Sequence, residues 1–368
     1  MILSEKQSFG GRDRRKANIM NRHEKAMEIL SAGTVIPATP LVLDENKNFD
    51  VEGQKFLTEY YLEAGVGGIA TAVHSTQFEI RLPEFSLFEP ILKTVSETID
   101  EYEKKTGKTI VRVAGVCGKA EQAVSEALIA KKYGFDAVLL SPGGLGDLNE
   151  KELLERTEKV AAVMPVIGFY LQKAVGGRYL SYDYWKRFCE IENVVAIKCA
   201  SFNRYSTIDV VRAAAFSSRA DKITLYTGND DNIIYDLISD YTFTDGGRTV
   251  SKKFEGGLLG HWTVWTNNVV KLFERIKANP DDPELKVLAP QLTDANGVIF
   301  DAANDFAGCI SGIHEILRRQ GLMKHIHCLC DHEKLSEGQM EEIDRIIRMY
   351  PHLTDDEFVK DYIAKKRA

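Results

Sequence analysis

The chain has 368 residues, with 47 Lys and Arg against 54 Asp and Glu, 44% hydrophobic and 27% charged residues, a composition that excludes disorder over the whole length. At this size folding needs no disulfide staple, so a small secreted scaffold is excluded as well. A formal net charge of −7 gives no attraction to a phosphate backbone or an anionic membrane, and neither nucleic acid nor membrane is expected as a partner.

The first segment, to about residue 31, is polar and contains the basic run Arg12-Asp13-Arg14-Arg15-Lys16; it reads as an arm, with Met20 as an alternative start. No stretch approaches the roughly 18 apolar residues of a spanning helix, and no apolar signal core opens the chain, so the expected location is cytoplasmic. The six cysteines lack framework spacing and read as free thiols.

From Gly33 the pattern becomes short runs rich in Val and Ile, each followed by a stretch of helical period. The strand candidates are Thr34–Ala38, Gly68–Val73, Ile110–Val116, Ala137–Ser141, Val166–Leu171, Val194–Ala200, Ile223–Thr227 and Phe254–Leu259. Helical stretches lie between them at Val51–Glu63, Phe85–Lys105, Lys119–Lys132, Glu150–Val163, Tyr182–Glu192, Ile208–Ser217 and Asp231–Ser239. Beyond His261 the readings are helices at Val269–Ala278, Ala302–Gln320 and Ser336–Met349, separated by Asn279-Pro280, Pro290 and Pro351.

Eight strand candidates spread over about 225 residues suit a closed barrel of the usual size. A doubly wound sheet is the alternative, but no Gly-x-Gly-x-x-Gly turn follows the first strand. The expected fold class is therefore α/β, a (β/α)8 TIM barrel with a C-terminal helical region. Residues 1–30 form a polar arm and lead-in helix, 31–262 the barrel, and 263–368 the helical region.

In such a barrel the C-terminal strand ends converge on one mouth. Lys198 stands out there, because Val194-Val195-Ala196-Ile197-Lys198-Cys199-Ala200 otherwise reads as a buried strand. Period two puts Val194, Ala196, Lys198 and Ala200 on one face, which aims the amine into the barrel. Burial there lowers a lysine pKa and leaves neutral amine able to attack a carbonyl. The alternative is a lysine paired with a buried carboxylate or reaching solvent. Tyr170 ends the preceding strand, where its phenol would shuttle protons during imine formation; alone it reads as an interfacial tyrosine.

Thr39-Pro40 with an acidic turn and Asp50, Gly168-x-Tyr170, Val195-Ala196-Ile197-Lys198 and Gly228-Asn229-Asp230 together resemble the dihydrodipicolinate synthase / N-acetylneuraminate lyase family of class I aldolases. The resemblance implies a barrel with C-terminal helices, a homo-oligomer (dimer or tetramer), and lyase chemistry on pyruvate or another 2-oxo acid. It also implies that no cofactor is needed beyond a covalent Schiff base. Lys198 matches the imine-forming lysine and Tyr170 the tyrosine that relays protons to it.

The family's Gly-Thr-Thr-Gly-Glu loop falls on Val73-His74-Ser75-Thr76-Gln77, where Ser75 keeps a hydroxyl and His74 adds a donor or a titrating group. Thr39, His74, Ser75, Arg178, Gly228 and Asn229 are the substrate-binding candidates, with Asn203 and His261 as further groups for the distal part of the substrate. Ser141-Pro142-Gly143-Gly144 lacks the aromatic pair of the synthases, and Arg178 sits in a longer loop than their Asn-x-Pro-x-Arg. Both departures point to an atypical relative with another substrate, an aldolase or a hydro-lyase.

Three rivals remain. His325-Ile326-His327-Cys328-Leu329-Cys330-Asp331-His332 gathers potential metal ligands, although its spacing matches no usual zinc framework, and no metal is expected. Gly143-Gly144-Leu145-Gly146 offers backbone N–H groups to an anion but lacks a Walker lysine. A barrel that only binds a 2-oxo acid, without catalysis, is the third.

Overall fold

In the computed structural model, which describes residues 21–367, the chain alternates strand and helix through a closed parallel barrel. The run Arg12–Lys16 and Met20 lie outside the described residues. The first half comprises α1 (Arg22–Ala32), β1 (Val35–Pro37), α2 (Val51–Ala64), β2 (Gly68–Thr71), α3 (Phe88–Thr106), β3 (Val111–Val116), α4 (Ala120–Lys132), β4 (Ala137–Leu140) and α5 (Glu150–Ala161). It continues with β5 (Val166–Leu171), α6 (Tyr182–Glu190), β6 (Val194–Ala200), α7 (Arg204–Phe216), β7 (Thr224–Thr227), α8 (Ile233–Ile238), β8 (Tyr241–Asp245), β9 (Arg248–Lys252) and β10 (Phe254–Leu259). The C-terminal region holds α9 (Thr266–Ala278), α10 (Leu285–Ile299), α11 (Cys309–Arg319), α12 (Gln339–Met349) and α13 (Asp356–Arg367).

The sheet order is β1-β10-β7-β6-β5-β4-β3-β2, every pair parallel. A parallel bridge between Ala38 and Ala70 closes the ring, reinforced by Thr39 N–H donating to Ala70 O at 2.9 Å. The fold is thus the (β/α)8 barrel the strand spacing predicts. Local signals start its helices: Asn149 and Glu152 form a capping box on α5, and the Asp50 carboxylate accepts from Gly53 N–H at the start of α2.

Two apolar cores follow from the period of two along the strands. One lies between barrel and helices; the other fills the barrel interior and includes Ala26 and Leu30 of α1. Helix α1 therefore plugs the N-terminal end. Tyr226 Oη donates to Leu30 O at 2.7 Å, and Arg22 donates to Asp136 Oδ1 and Ile110 O, each at 2.6 Å. Among the described residues, the C-terminal mouth is the end left accessible.

The structure departs from the sequence reading at four places. Strands β8 and β9 form an antiparallel hairpin between α8 and β10 that has no counterpart in the reading. It turns through Gly246 and Gly247, both at positive φ (55° and 79°), and its polar, exposed outer face hides the strand signal. Pro290, read as a break, lies inside α10. Its ring removes only the bond to Lys286 O, at an exposed residue in the first turns of the helix. Helix α13 was not among the readings. Finally, the β5–β6 register shifts between Val166 and Ile167, so Val194 joins the outer core rather than the face of Lys198.

No helix among the described residues is long and apolar enough to cross a membrane.

Candidate active site

Strand parity decides what faces the barrel mouth. On β6, Ala196 and Ala200 belong to the inner core, and Lys198 between them shares their face, 7% exposed. In register beside it stand Phe169 of β5 and Tyr226 of β7. The Lys198 ammonium lies 4.5 Å from the centre of the Phe169 ring, a cation–π contact in a desolvated setting. Continuing the parity of Tyr226 places Gly228 and Asp230 on the inner side, and both line the pocket with Lys198.

Gly228 is required by close approach. A Cβ there would stand 2.4 Å from Lys198 Cε and 2.9 Å from Ala200 Cβ, so only glycine leaves the lysine stem its path.

Burial pushes the Lys198 amine below its usual range, and the negative charge of Asp230 partly opposes this. Burial likewise pushes the Asp230 carboxyl up, opposed by the His261 backbone N–H and by Lys198. His261 N–H donates to Asp230 Oδ1 at 2.9 Å. Asp230 thus acts on Lys198 as a charge, and among the described residues Lys198 has no hydrogen-bonded anion. A poised amine and a poised carboxyl share one pocket floor, which suits nucleophilic attack with proton transfer.

The polar end of the pocket is completed by the 3-10 turn His74–Thr76 after β2. Ser75 Oγ donates to Ala38 O at 2.5 Å and Thr76 Oγ1 to Thr39 O at 2.6 Å, which pins the turn to the end of β1. His74 packs edge-on to Phe78; burial, then the charge of Lys198, pushes its pKa down to about 4. It is therefore neutral near pH 7 and offers one N–H. Beneath the turn, Arg81 pairs with Glu126 at 3.0 Å and donates to Ala72 O at 3.1 Å and Gly115 O at 2.9 Å. That grip holds Ala72 at φ 60°, a left-handed conformation unusual outside glycine.

The other walls are apolar: Phe169, Leu171, Val175 and Phe202 come from the barrel and its loops, and Phe300, Phe306, Cys309 and Ile313 from the C-terminal region. The space left, including the open mouth, is about 600 Å³.

Several predicted site residues stand elsewhere. The expected pairing of Tyr170 with Lys198 is corrected: Tyr170 lies on the outer face of β5, its ring 5.4 Å from Trp185 and its Oη accepting from Leu180 N–H at 3.3 Å. On β5 the inward neighbour of Lys198 is Phe169, which has no proton to relay, and the Tyr226 phenol on β7 is spent on Leu30 O. Asn229 also points outward, donating to Asp236 Oδ2 at 2.9 Å and accepting from Phe202 N–H at 3.0 Å. Thr39 is fully buried, donating to Ala70 O at 3.0 Å. Arg178 donates to Leu145 O at 3.2 Å and Leu148 O at 2.5 Å, holding the Gly143–Gly146 loop from outside the pocket. Asn203 caps α7, and His261 turns its ring toward Trp265.

In the His325–His332 segment, His325 and His327 stack at 5.1 Å. Among the described residues no group of three or more His, Cys, Asp or Glu side chains is arranged to hold a metal ion. The sequence reading missed Asp230 as a site residue, although period two from Tyr226 marks it. Phe300 and Phe306 carried no signal, because their place depends on how a distant segment docks.

Barrel and site together define a class of protein: a (β/α)8 barrel with a buried lysine at its open end that, among the described residues, has no hydrogen-bonded anion. No family model matches the chain. It is 21% identical over 317 residues to N-acetylneuraminate lyase 2 of Escherichia coli O6:H1, covering 85% of this chain and 92% of that one. Dihydrodipicolinate synthase from Oceanobacillus iheyensis superposes with a TM-score of 0.72 at 16% identity, over 90% of this chain and all of that one. A prophage protein of the dihydrodipicolinic acid synthase family from Escherichia coli K12, in complex with pyruvate, gives 0.69 at 16% identity, over 87% and 98%. The chain is thus similar, at low identity, to members of the dihydrodipicolinate synthase and N-acetylneuraminate lyase family.

Proposed function

We propose that the protein is an imine-forming lyase, an aldolase or hydro-lyase, acting on pyruvate or another 2-oxo acid. The observation that carries this reading is Lys198 itself, an amine with a lowered pKa, buried without a hydrogen-bonded anion and turned into a pocket. Its neutral form attacks the keto carbon, and a carbinolamine forms. Asp230, with its raised pKa, donates the proton with which water leaves, and the protonated imine remains. Its carboxylate takes back the proton released when the neighbouring carbon becomes an enamine or parts from its substituent. The substrate carboxylate rests at the His74–Ser75 turn, where neutral His74 donates its N–H. The imine is the electron sink, so no cofactor is called for. The likeness to a lyase and to a fold relative in complex with pyruvate supports this reading.

The test is borohydride reduction in the presence of pyruvate and other 2-oxo acids, followed by intact mass and peptide mapping. A reduced adduct on Lys198, absent in Lys198→Ala, is the expected result. No adduct with any acid in the folded protein overturns catalysis in favour of a barrel that only binds. In the same reading the chain works in the cytoplasm as a homo-oligomer, and light scattering on the purified protein reads its assembly.

A further inference from the structure

We infer that the distal part of the substrate is apolar, an aromatic or branched aliphatic group, and that Phe169, Leu171, Phe202, Phe300, Phe306 and Ile313 select it. The 2-oxo-acid half of this inference rests on the imine reading; the apolar half rests on the pocket walls alone.

The polar groups are segregated. His74 and Asp230 act on Lys198 as neighbouring groups and Ser75 adjoins His74, and among the described residues lining the pocket the other polar side chains are Gln172 and the thiol of Cys309. A hydroxyl laid along the aromatic wall leaves its water partners without replacement, whereas a ring or methyl group there leaves water for apolar contact.

The aromatic mouth is also held in place by the backbone. Phe202, Asp305 and Phe306 adopt φ of 50°, 52° and 66°, conformations that L-residues rarely adopt. Each side is fastened: Asn229 Oδ1 accepts Phe202 N–H at 3.0 Å, and the Asp301 carboxylate accepts Gly308 N–H at 2.9 Å and Ser336 Oγ–H at 2.5 Å. The two rings meet edge to face, centroids 5.6 Å apart, and both are half-buried. Their remaining apolar surface faces the space a ligand would fill. Asn229 is accordingly a positioning residue for Phe202.

The experiment is calorimetric titration of the full chain with pyruvate, phenylpyruvate, 4-methyl-2-oxopentanoate and 2-oxo-3-deoxygluconate, with borohydride trapping in parallel. Phenylpyruvate or the branched acid is expected to bind at least about tenfold more tightly than the hydroxylated acid, the discrimination one or two apolar groups supply in such a pocket. Phe306→Ala should shrink that ratio, and Phe306→Leu, which keeps an apolar wall, should retain most of it for the branched acid. Equal or tighter binding of the hydroxylated acid, or a ratio unmoved by Phe306→Ala, overturns the inference, as does failure of all the acids to bind. The apolar ranking without any borohydride adduct upholds it and overturns the imine mechanism instead. Adducts formed with the reverse ranking do the opposite.

Discussion

At the scale of single residues, the pocket floor depends on room and charge around Lys198. Gly228→Ala would push a methyl group against Lys198 Cε. The expected outcome is at least about a tenfold fall in the borohydride trapping rate, with a strain of about 1–3 kcal/mol read by urea denaturation. Asp230→Asn removes the negative charge that holds the Lys198 pKa up. The pKa then falls further, and the rising limb of the trapping rate against pH moves to lower pH, with a lower plateau because an amide donates no comparable proton. An unmoved limb would separate Asp230 from the lysine. Tyr170→Phe, by contrast, is expected to leave trapping unchanged, since its phenol meets Leu180 outside the barrel. Lys198 was legible as a lone cation in an apolar strand. Asp230 was passed over beside Asn229, although alternation separates their two faces.

At the scale of elements, the turn after β2 depends on a buried ion pair. Arg81 and Glu126 are each 8% exposed, and Arg81 also holds the carbonyls of Ala72 and Gly115. Glu126→Gln leaves the guanidinium buried without its counter-charge, so a loss of roughly 3–5 kcal/mol is expected on urea denaturation. Carboxylate binding at the His74–Ser75 turn should weaken with it, which titration with pyruvate measures. The barrel strands were legible because both of their faces are buried and each reads as a short apolar run. The β8–β9 hairpin was not, because its residues are largely exposed and polar. Proline is a weak stop where the bond it removes lies at an exposed residue near the start of a helix, as at Lys286 in α10.

At the scale of the whole molecule, two histidines besides His74 of the pocket are buried neutral. Burial pushes the pKa of His261 and of His314 down to about 4, from an ordinary value of 6.5. The unfolded chain therefore binds more protons between those values. Their contribution is complete above about pH 6.5 and is lost as pH falls toward about 4. Stability measured by urea denaturation should drop across that window. His314→Gln, able to keep the contact with Ile326 O, should reduce the drop by about 2–3 kcal/mol at most. An acid profile identical to that of the parent chain would refute this assignment.

Local pattern was enough for the barrel, its strand positions, three of the five C-terminal helices and the lysine, since each is written in neighbouring residues: apolar runs, helical period, one charge where none belongs. It was not enough to aim Tyr170. A single step of register exchanges the inner and outer faces of a strand, and only packing against Trp185 and the inner core settles which residue turns inward. Nor did it foresee the aromatic cover of the mouth. Phe306 meets Phe202 across about a hundred residues of chain and Phe300 lines the same pocket, and such contacts are set by the docking of whole elements, not by the residues on either side.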